Sequence, residues 1–433
     1  MPSSWAALPT LGVLAAAYVL SQFFRTALAV VAPEIATDLG LDPARLGILS
    51  SAWFWAFAAA QIPIGVALDR WGPRRTVALL FSVGALGCLV FANAGSLPPA
   101  VLGQILIGIG CAPVFMGVLV VLARFYPPHQ FAQYSSFLLA IGSTGTLVGT
   151  TPLALVQDAI GWRGAFLALA GLVLLVALLI GLLVRDRPAG APPPAATESF
   201  AAALRGVLKV LANRRILAIV PMCFTAYAVL ITVRGLWAGT YLAEMFAFSP
   251  LARGNALLAM SVAMILGNLA YGALERRLDR RRPLVIAGSA GVIALLLLLA
   301  ALPQASPAVA VLALTALGAM GMTYALLMAQ GRRFLAEHEI GRGLTLLNGA
   351  CFAGAATIQA LSGVVVDATK NGSPMATVIS SMTARNGLVS PLGASDSATA
   401  MGVCRVPTAM ESTIAATGNA STAMWMSHCF FGL

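Results

Sequence analysis

Apolar runs about as long as a membrane is thick constrain this chain more than any other feature. A helix that crosses a bilayer needs roughly 17 to 25 mostly apolar residues. Lipid offers the backbone no hydrogen-bond partner, so each run of that length is predicted to be a helix. We number eleven such spans: approximately 8–32, 46–68, 76–95, 100–123, 134–156, 163–184, 216–242, 254–274, 284–302, 308–329 and 344–366. The predicted fold class is therefore all-α integral membrane.

Composition supports this prediction and argues against several functions. Hydrophobic residues make up 59% of the chain and charged residues 9%, which is outside the usual range for soluble domains. The net charge of +11 could indicate nucleic-acid binding, but the basic residues form short clusters between apolar runs. That pattern is typical of loops at a membrane face. The sequence has no CxxC pair, catalytic nucleophile or cofactor motif, so we expect no enzyme, no metal, no cofactor and no nucleic acid.

The distribution of lysine and arginine predicts the orientation. With the N-terminus inside, the cytoplasmic loops hold 18 of the 26 basic residues and the outer loops hold 4. This asymmetry favours a multi-pass protein of the plasma (inner) membrane with a cytoplasmic N-terminus. The N-terminus lacks the basic region and cleavage site of a secretory signal, so the first span is expected to be retained.

An internal repeat divides the chain into two halves, at an offset of about 209 residues. The matching pairs are Tyr18 with Tyr227, Arg25 with Arg234, and Arg45 with Arg253. The predicted domains are an N-terminal six-helix half (1–184), a proline-rich cytoplasmic linker (185–215) and a C-terminal half (216–367). Parallel halves of six helices are typical of one large class of transporters.

The second half is one span short. Residues 368–433 are rich in serine, threonine and glycine, and their last apolar window is too short to cross a bilayer. We interpret this atypical polar tail as a frameshift or premature stop that removed span 12; a genuine extracytoplasmic tail is the alternative. Translation of the neighbouring reading frames would distinguish the two.

The loop between spans 2 and 3 carries a family signature. Residues 65–75, GVALDRWGPRR, resemble the G-x-x-x-D-R-x-G-x-R-R motif of the major facilitator superfamily. The resemblance covers about residues 8–367 and implies two pseudo-symmetric six-helix halves that alternate access to a central site. It also implies a cytoplasmic latch formed by Gly65, Asp69, Arg70, Gly72, Arg74 and Arg75. The alternative is that these arginines only set the topology. Many family members carry an arginine in span 4 where this chain has Gln104.

Arg25 and Arg234 interrupt spans 1 and 7. A charged side chain in the middle of a membrane helix costs roughly 2.5 to 3.5 kcal/mol, so it normally faces a partner or a polar cavity. Arg25 lies eight residues before Pro33, which places it roughly 12 Å below the outer end of span 1 and disfavours snorkelling. The predicted spans contain no carboxylate that could pair with either arginine. Two explanations are open for the arginines: they bind an anion, or they have a structural or cation-excluding role.

Other polar residues share the helix faces of these arginines. Tyr18 and Gln22 precede Arg25 at helical spacing, and Tyr227 and Trp237 flank Arg234 in the same way. Planar guanidinium groups match carboxylate and phosphate. The stretch RTALAVVAP also resembles the first helix of the organophosphate:phosphate antiporters and anion:cation symporters, which implies that its arginine contacts an anion. The predicted substrate-binding residues are Arg25, Arg234, Tyr18, Tyr227, Gln22 and Trp237.

Together these features predict a secondary active or facilitative transporter of small organic or inorganic anions. We expect a monomer, although no sequence feature specifies the oligomeric state. Proton symport usually needs a titratable group within the spans, so exchange or facilitated uptake is favoured. One alternative is a non-transporting anion sensor on the same fold. Another is an efflux transporter of apolar compounds, which would leave the two arginines unexplained. The sequence does not specify the anion, the direction or the coupling ion.

Overall fold

The computed structural model describes residues 8–125, 128–186, 205–206, 209–210, 212–278, 280–301, 306–335 and 340–370. All regular secondary structure in these residues is helical, and ten stretches are long and apolar enough to cross a membrane. The prediction of an all-α integral membrane fold is confirmed. Most of the linker, and the tail from residue 371 with the predicted loss of span 12, lie outside the described residues.

The described residues of the predicted first half contain five helices, and two of them bend at a glycine. They are α1 (Leu8–Leu39), α2 (Pro43–Ala92), α3 (Leu97–Phe125), α4 (Pro128–Val148) and α5 (Thr151–Leu183). Helix α2 contains predicted spans 2 and 3 and bends at Gly72 (φ 79°, ψ 163°). Helix α5 bends at Gly161 (φ 72°, ψ 166°). Only glycine adopts these angles without strain, so each bend depends on its glycine.

The second half begins after the linker and contains a widened helical turn. Its elements are α6 (Arg214–Leu217), α7 (Val220–Thr232), a π-helical turn (Val233–Trp237), α8 (Ala238–Phe246), α9 (Pro250–Leu278), α10 (Arg281–Ala301), α11 (Pro307–Met320), α12 (Tyr324–Arg332) and α13 (Ile340–Lys370). Helix α7, the π-turn and α8 are continuous along the chain and together form predicted span 7. Helices α11 and α12 divide predicted span 10 between them.

The two ends of the bundle differ in charge and in how the halves meet. We call the end that carries Arg70–Arg75 and Arg280–Arg282 the basic end. At the opposite end α1 finishes and α2 begins. Three polar contacts join the halves toward this opposite end: the ion pair of Glu34 with Arg253, the Ser50–Gln359 hydrogen bond (2.6 Å) and the Thr151–Asn255 hydrogen bond (2.8 Å). The halves are therefore in contact at the end away from the basic loops.

The surroundings of Glu34 and Arg253 differ from those that the sequence predicts. Pro33 marks the expected end of span 1, but α1 continues through it to Leu39, so Glu34 lies within the helix. Arg253, expected at an outer helix end like its repeat partner Arg45, has a side chain only 4% exposed. Pro33 cannot donate to the carbonyl of Ala29, and that carbonyl lies against Gly239 of the other half. The proline thus accompanies a close approach of α1 and α8.

Gly354 allows α7 and α13 to pack closely, and we expect an alanine there to destabilise the fold. A Cβ atom at Gly354 would overlap the backbone carbonyl of Phe224 in α7, and overpacking costs typically about 1–3 kcal/mol. Gly349 of the same helix has open space around it. Gly349→Ala is therefore the matched control and should be neutral or slightly stabilising. Thermal unfolding of the two purified variants checks this; equal midpoints would contradict the α7–α13 contact.

Candidate anion-binding site

Arg25 is held among aromatic rings from both halves. Its guanidinium carbon lies 5.2 Å from the ring centroid of Phe57, 5.9 Å from that of Trp53 and 4.9 Å from that of Phe352. Phe57 and Trp53 belong to α2, whereas Phe352 belongs to α13. Rings at these distances stabilise a cation through their negative faces, by about 0.5–2 kcal/mol each. We call Trp53, Phe57 and Phe352 the aromatic group.

The aromatic group leaves one hydrogen-bond donor of Arg25, its Nε–H group, without an acceptor. The Nε atom of Arg25 is buried and has no hydrogen-bond partner, although the residue as a whole is partly exposed. The described salt bridges do not include Arg25. Cation–π contacts do not satisfy N–H donors. The geometry therefore provides a stabilised cation with one buried donor available to an acceptor.

Arg234 lies in the π-turn and is more deeply buried than Arg25. Its side chain is 3% exposed, and its Nε and Nη2 atoms donate to Ser261 Oγ over 3.2 and 2.7 Å. Ser261 Oγ in turn donates to the carbonyl of Leu257 over 2.5 Å. A serine hydroxyl orients the guanidinium but does not neutralise its charge. Single π-turns within helices occur frequently at functional sites.

The two arginines make corresponding contacts in the two halves. Arg25 contacts Trp53, and Arg234 contacts Ser261. The offset between the arginines is 209 residues, and the offset from Trp53 to Ser261 is 208, which is also the offset from Arg45 to Arg253. Each arginine therefore touches the same position of the next helix in its own half. The internal repeat predicted from the sequence thus extends to side-chain contacts.

Tyr227 lies near both cations. It interacts electrostatically with Arg25 and with Arg234, and its interaction with Arg25 includes a side-chain hydrogen bond. Its ring is 5.9 Å from that of Phe352. Its repeat partner Tyr18 also interacts electrostatically with Arg25. The ring of Tyr18 is stacked on Phe115, with the centroids 5.2 Å apart. The structure therefore brings four of the six predicted substrate-binding residues into one region.

The other two predicted residues are placed differently. Gln22 is partly exposed, and its Oε1 atom is buried without a partner in the described structure. Trp237 donates its indole N–H to Ser362 Oγ over 2.8 Å, so that its polar group is engaged with α13. A direct role for Trp237 in substrate binding stays a prediction. Within the described residues, no group of three or more His, Cys, Asp or Glu side chains could hold a metal.

Sequence reasoning missed the aromatic group and Ser261. The WFWAF stretch at residues 53–57 is visibly aromatic, but such residues are equally common where helices pack on each other or on lipid. Phe352 lies far along the chain in another predicted span. The offset of 208 residues that relates Arg45 to Arg253 leads from Trp53 to Ser261. No comparable signal leads to Phe352.

The latch motif makes contacts within the first half. The backbone N–H of Arg74 donates to Asp186 Oδ1 and its Nε donates to the carbonyl of Gly181, each over 2.7 Å. Arg70 and Arg75 are exposed, Gly65 has open space around it, and the side chain of Asp69 is outside the described structure. Arg74 therefore fastens the bend at Gly72 to the end of α5. A latch between the halves stays a prediction.

Comparison with known proteins identifies a family and a set of relatives. The family model described as Major Facilitator Superfamily matches residues 14–359. The nitrate/nitrite transporter NrtP of Picosynechococcus sp. is 42% identical over 115 residues, 27% of this chain and 21% of that protein. The probable galactarate/D-glucarate transporter GudP of Escherichia coli is 26% identical over 36% of each chain. The probable sulfoacetate transporter SauU of Cupriavidus necator is 26% identical over 41% of each. The matches thus span less than half the length of these relatives.

Solved structures share the fold at low sequence identity. A bacterial homologue of the human lysosomal transporter Spinster, in an inward-facing and unoccupied conformation, superposes with a TM-score of 0.71. That match has 17% identity and covers 100% of this chain and 93% of the other. A D-xylose-proton symporter gives a TM-score of 0.69 with 15% identity, over 83% and 90% of the two chains. At these identities the likeness supports the arrangement of helices alone.

Proposed function

We propose, since the chain belongs to the Major Facilitator Superfamily, that it moves small organic or inorganic anions across a membrane by alternating access, with the substrate bound between Arg25 and Arg234. The observation that carries this proposal is the state of Arg25, a cation in an aromatic environment with a buried donor that lacks an acceptor. An anion supplies both the charge and the acceptor.

The relatives support an anion as the substrate class. Nitrate, sulfoacetate and the sugar diacids are chemically diverse, but each carries at least one planar or tetrahedral group of negatively charged oxygens. Such groups accept bidentate hydrogen bonds from guanidinium forks. Neither Arg25 nor Arg234 is in a salt bridge of the described structure, so both charges are available to such a group.

Alternating access accounts for the distribution of contacts between the halves. Three of the polar contacts between the halves lie toward the opposite end, which suits a form closed there and accessible from the basic end. We place the basic end at the cytoplasmic face of the plasma (inner) membrane, because positively charged loops are retained there. The N-terminus, next to the basic end, is then cytoplasmic. Each monomer is proposed to be a complete transport unit.

Counterflow in proteoliposomes tests the proposed function. Vesicles preloaded with unlabelled nitrate, phosphate, sulfoacetate or glucarate are diluted into the corresponding labelled anion, with xylose as the neutral control. We expect saturable exchange of at least one anion and none of xylose. Anion binding without flux would indicate the sensor. Energy-dependent extrusion of an apolar dye without anion movement would indicate efflux of apolar compounds.

A further inference from the structure

A second concentration of arginines lies at the basic end of the second half, away from the aromatic group. An open cavity of about 560 Å³ is lined by Arg215, Arg280, Arg281, Arg282, Arg333 and Phe334, among others. We call it the arginine pocket. Its five guanidinium groups come from three separate segments: the start of α6, the α9–α10 turn together with the start of α10, and the end of α12. Folding therefore brings together charges that the sequence keeps far apart.

Packing and hydrogen bonds fix two of these arginines in place. The guanidinium of Arg215 lies over the ring of Phe334, 5.6 Å from its centroid. Asn213 caps α6 through a hydrogen bond from the Arg215 N–H (3.0 Å) and also donates to the carbonyl of Phe334 (3.2 Å). The Nε atom of Arg281 donates to Glu275 in an ion pair. These contacts connect α6, α12 and the α9–α10 turn around one cavity.

Positive charge in the arginine pocket exceeds what the described carboxylates neutralise. Glu275 pairs with Arg281, whereas Arg215, Arg280, Arg282 and Arg333 form no ion pair with a carboxylate of the described residues. Helix α10 also begins here, with no acidic residue in its first turn, and a helix N-terminus adds partial positive charge. Such mutual repulsion is relieved by bound anions. If these arginines only set the membrane topology, they would not need to line one cavity.

We propose that the arginine pocket binds a phosphate-bearing anion with two or more negative charges, either the headgroup of an anionic lipid or a free diphosphate. Guanidinium forks match phosphate oxygens bidentately. The cavity volume is within the roughly 300–1,000 Å³ range of small-ligand sites. Basic pockets at the ends of membrane helices are suited to lipid headgroups with two phosphates. Two exposed apolar side chains are close in sequence to the lining residues: Leu217 is two residues after Arg215, and Leu278 is two residues before Arg280.

Binding there has a structural consequence for the second half. A single polyanion that contacts Arg215, Arg282 and Arg333 would fasten the segment after the linker to α10 and α12. The ligand would thereby stabilise the basic end of this half by mass action. The inference does not depend on the proposed transport, because Arg25 and Arg234 lie elsewhere and are unchanged in the test.

The test uses the full chain in nanodiscs of phosphatidylcholine, titrated separately with cardiolipin and with free pyrophosphate. The pocket variant is Arg282→Gln with Arg333→Gln. The control variant is Arg277→Gln with Arg332→Gln, which removes two exposed arginines of α9 and α12 outside the lining. Ligand-induced shifts of thermal unfolding and native mass spectrometry of bound lipid give the affinities. We expect the pocket variant to weaken binding about tenfold or more and the control variant to weaken it less than about threefold.

The outcomes are distinct. If the pocket variant loses cardiolipin binding and the control variant keeps it, the ligand is a lipid headgroup. If the pocket variant alone loses pyrophosphate binding, the ligand is a free anion. Binding no tighter than that of phosphatidylcholine would overturn the proposal, as would equal losses in both variants. Should the pocket variant fail to fold, Arg282→Lys with Arg333→Lys keeps the charges but removes the forks. It is expected to bind several-fold more weakly than the unsubstituted chain, and unchanged affinity would count against the proposal.

Discussion

Replacing Arg25 by alanine is expected to reduce anion flux by about 30-fold or more, and replacing Arg234 is expected to have a comparable effect. Truncating one member of a desolvated charge contact costs about 2–5 kcal/mol, and each 1.4 kcal/mol is about tenfold in affinity. Arg25→Lys keeps the charge but not the planar fork, so its flux should be intermediate. Initial rates of counterflow at an anion concentration below half-saturation measure the effect.

Arg45→Ala is the matched control for these substitutions. Arg45 is an arginine of the same internal repeat, but its side chain is 58% exposed and paired with Asp42 one turn away. Exposed pairs contribute little to stability, so flux should stay near that of the unsubstituted chain. Arg234→Ala also removes two hydrogen bonds to Ser261, and its thermal midpoint must be measured alongside flux. Flux that survives both Arg25→Ala and Arg234→Ala would show that the site assignment is wrong.

Breaking the Glu34–Arg253 pair is expected to favour opening of the end opposite the basic loops. Removing one partner of a buried ion pair costs about 3–5 kcal/mol, because the other charge is left uncompensated. Here the carboxylate is 29% exposed and the guanidinium 4% exposed, so Glu34→Gln should cost more than Arg253→Gln. In the open form the remaining charge is hydrated, so the cost falls mainly on the closed form. The ratio of closed to open form should fall about tenfold or more.

Distances between spin labels can measure this shift. Thr37 of α1 and Leu251 of α9 are exposed at the end opposite the basic loops, one on each half. Labels at cysteines introduced there, with the six native cysteines replaced by alanine, should show a longer distance when Glu34 is changed to glutamine. Arg45→Gln serves as the control, because Arg45 occupies the repeat-related position without joining the halves. An unchanged distance distribution in Glu34→Gln would mean that the pair does not hold this end closed.

The helices of this fold were predictable because lipid removes alternatives. An apolar run such as residues 100–123 has no other way to satisfy its backbone in a bilayer, and α3 contains that run. Helix ends were less predictable. Pro33 normally suggests a helix end, yet α1 continues through it, and the freed carbonyl of Ala29 has a neighbour packed against it. That neighbour, Gly239, is in the other half, and local sequence carries no information about it.

The candidate site was predictable in part for a similar reason. Arg25 and Arg234 were evident because a cation in an apolar span is costly, and the repeat related them to each other. The surroundings of Arg25 depend on Phe352, which stands more than 300 residues away in sequence. Tertiary packing alone brings that ring to the guanidinium. The same limit applies to Ser50 and Gln359, whose pairing depends on how the halves meet.

The contact of Phe352 with Arg25 links occupancy of the site to the arrangement of the halves. The ring belongs to the second half and the cation to the first, so a relative movement of the halves changes the electrostatic environment of the guanidinium. If an anion binds at Arg25 as proposed, it has different affinities for the two arrangements, and by thermodynamic reciprocity it changes their equilibrium by the same factor. In this fold the coupling free energy between binding and movement can thus reside in one interaction between a ring and a cation.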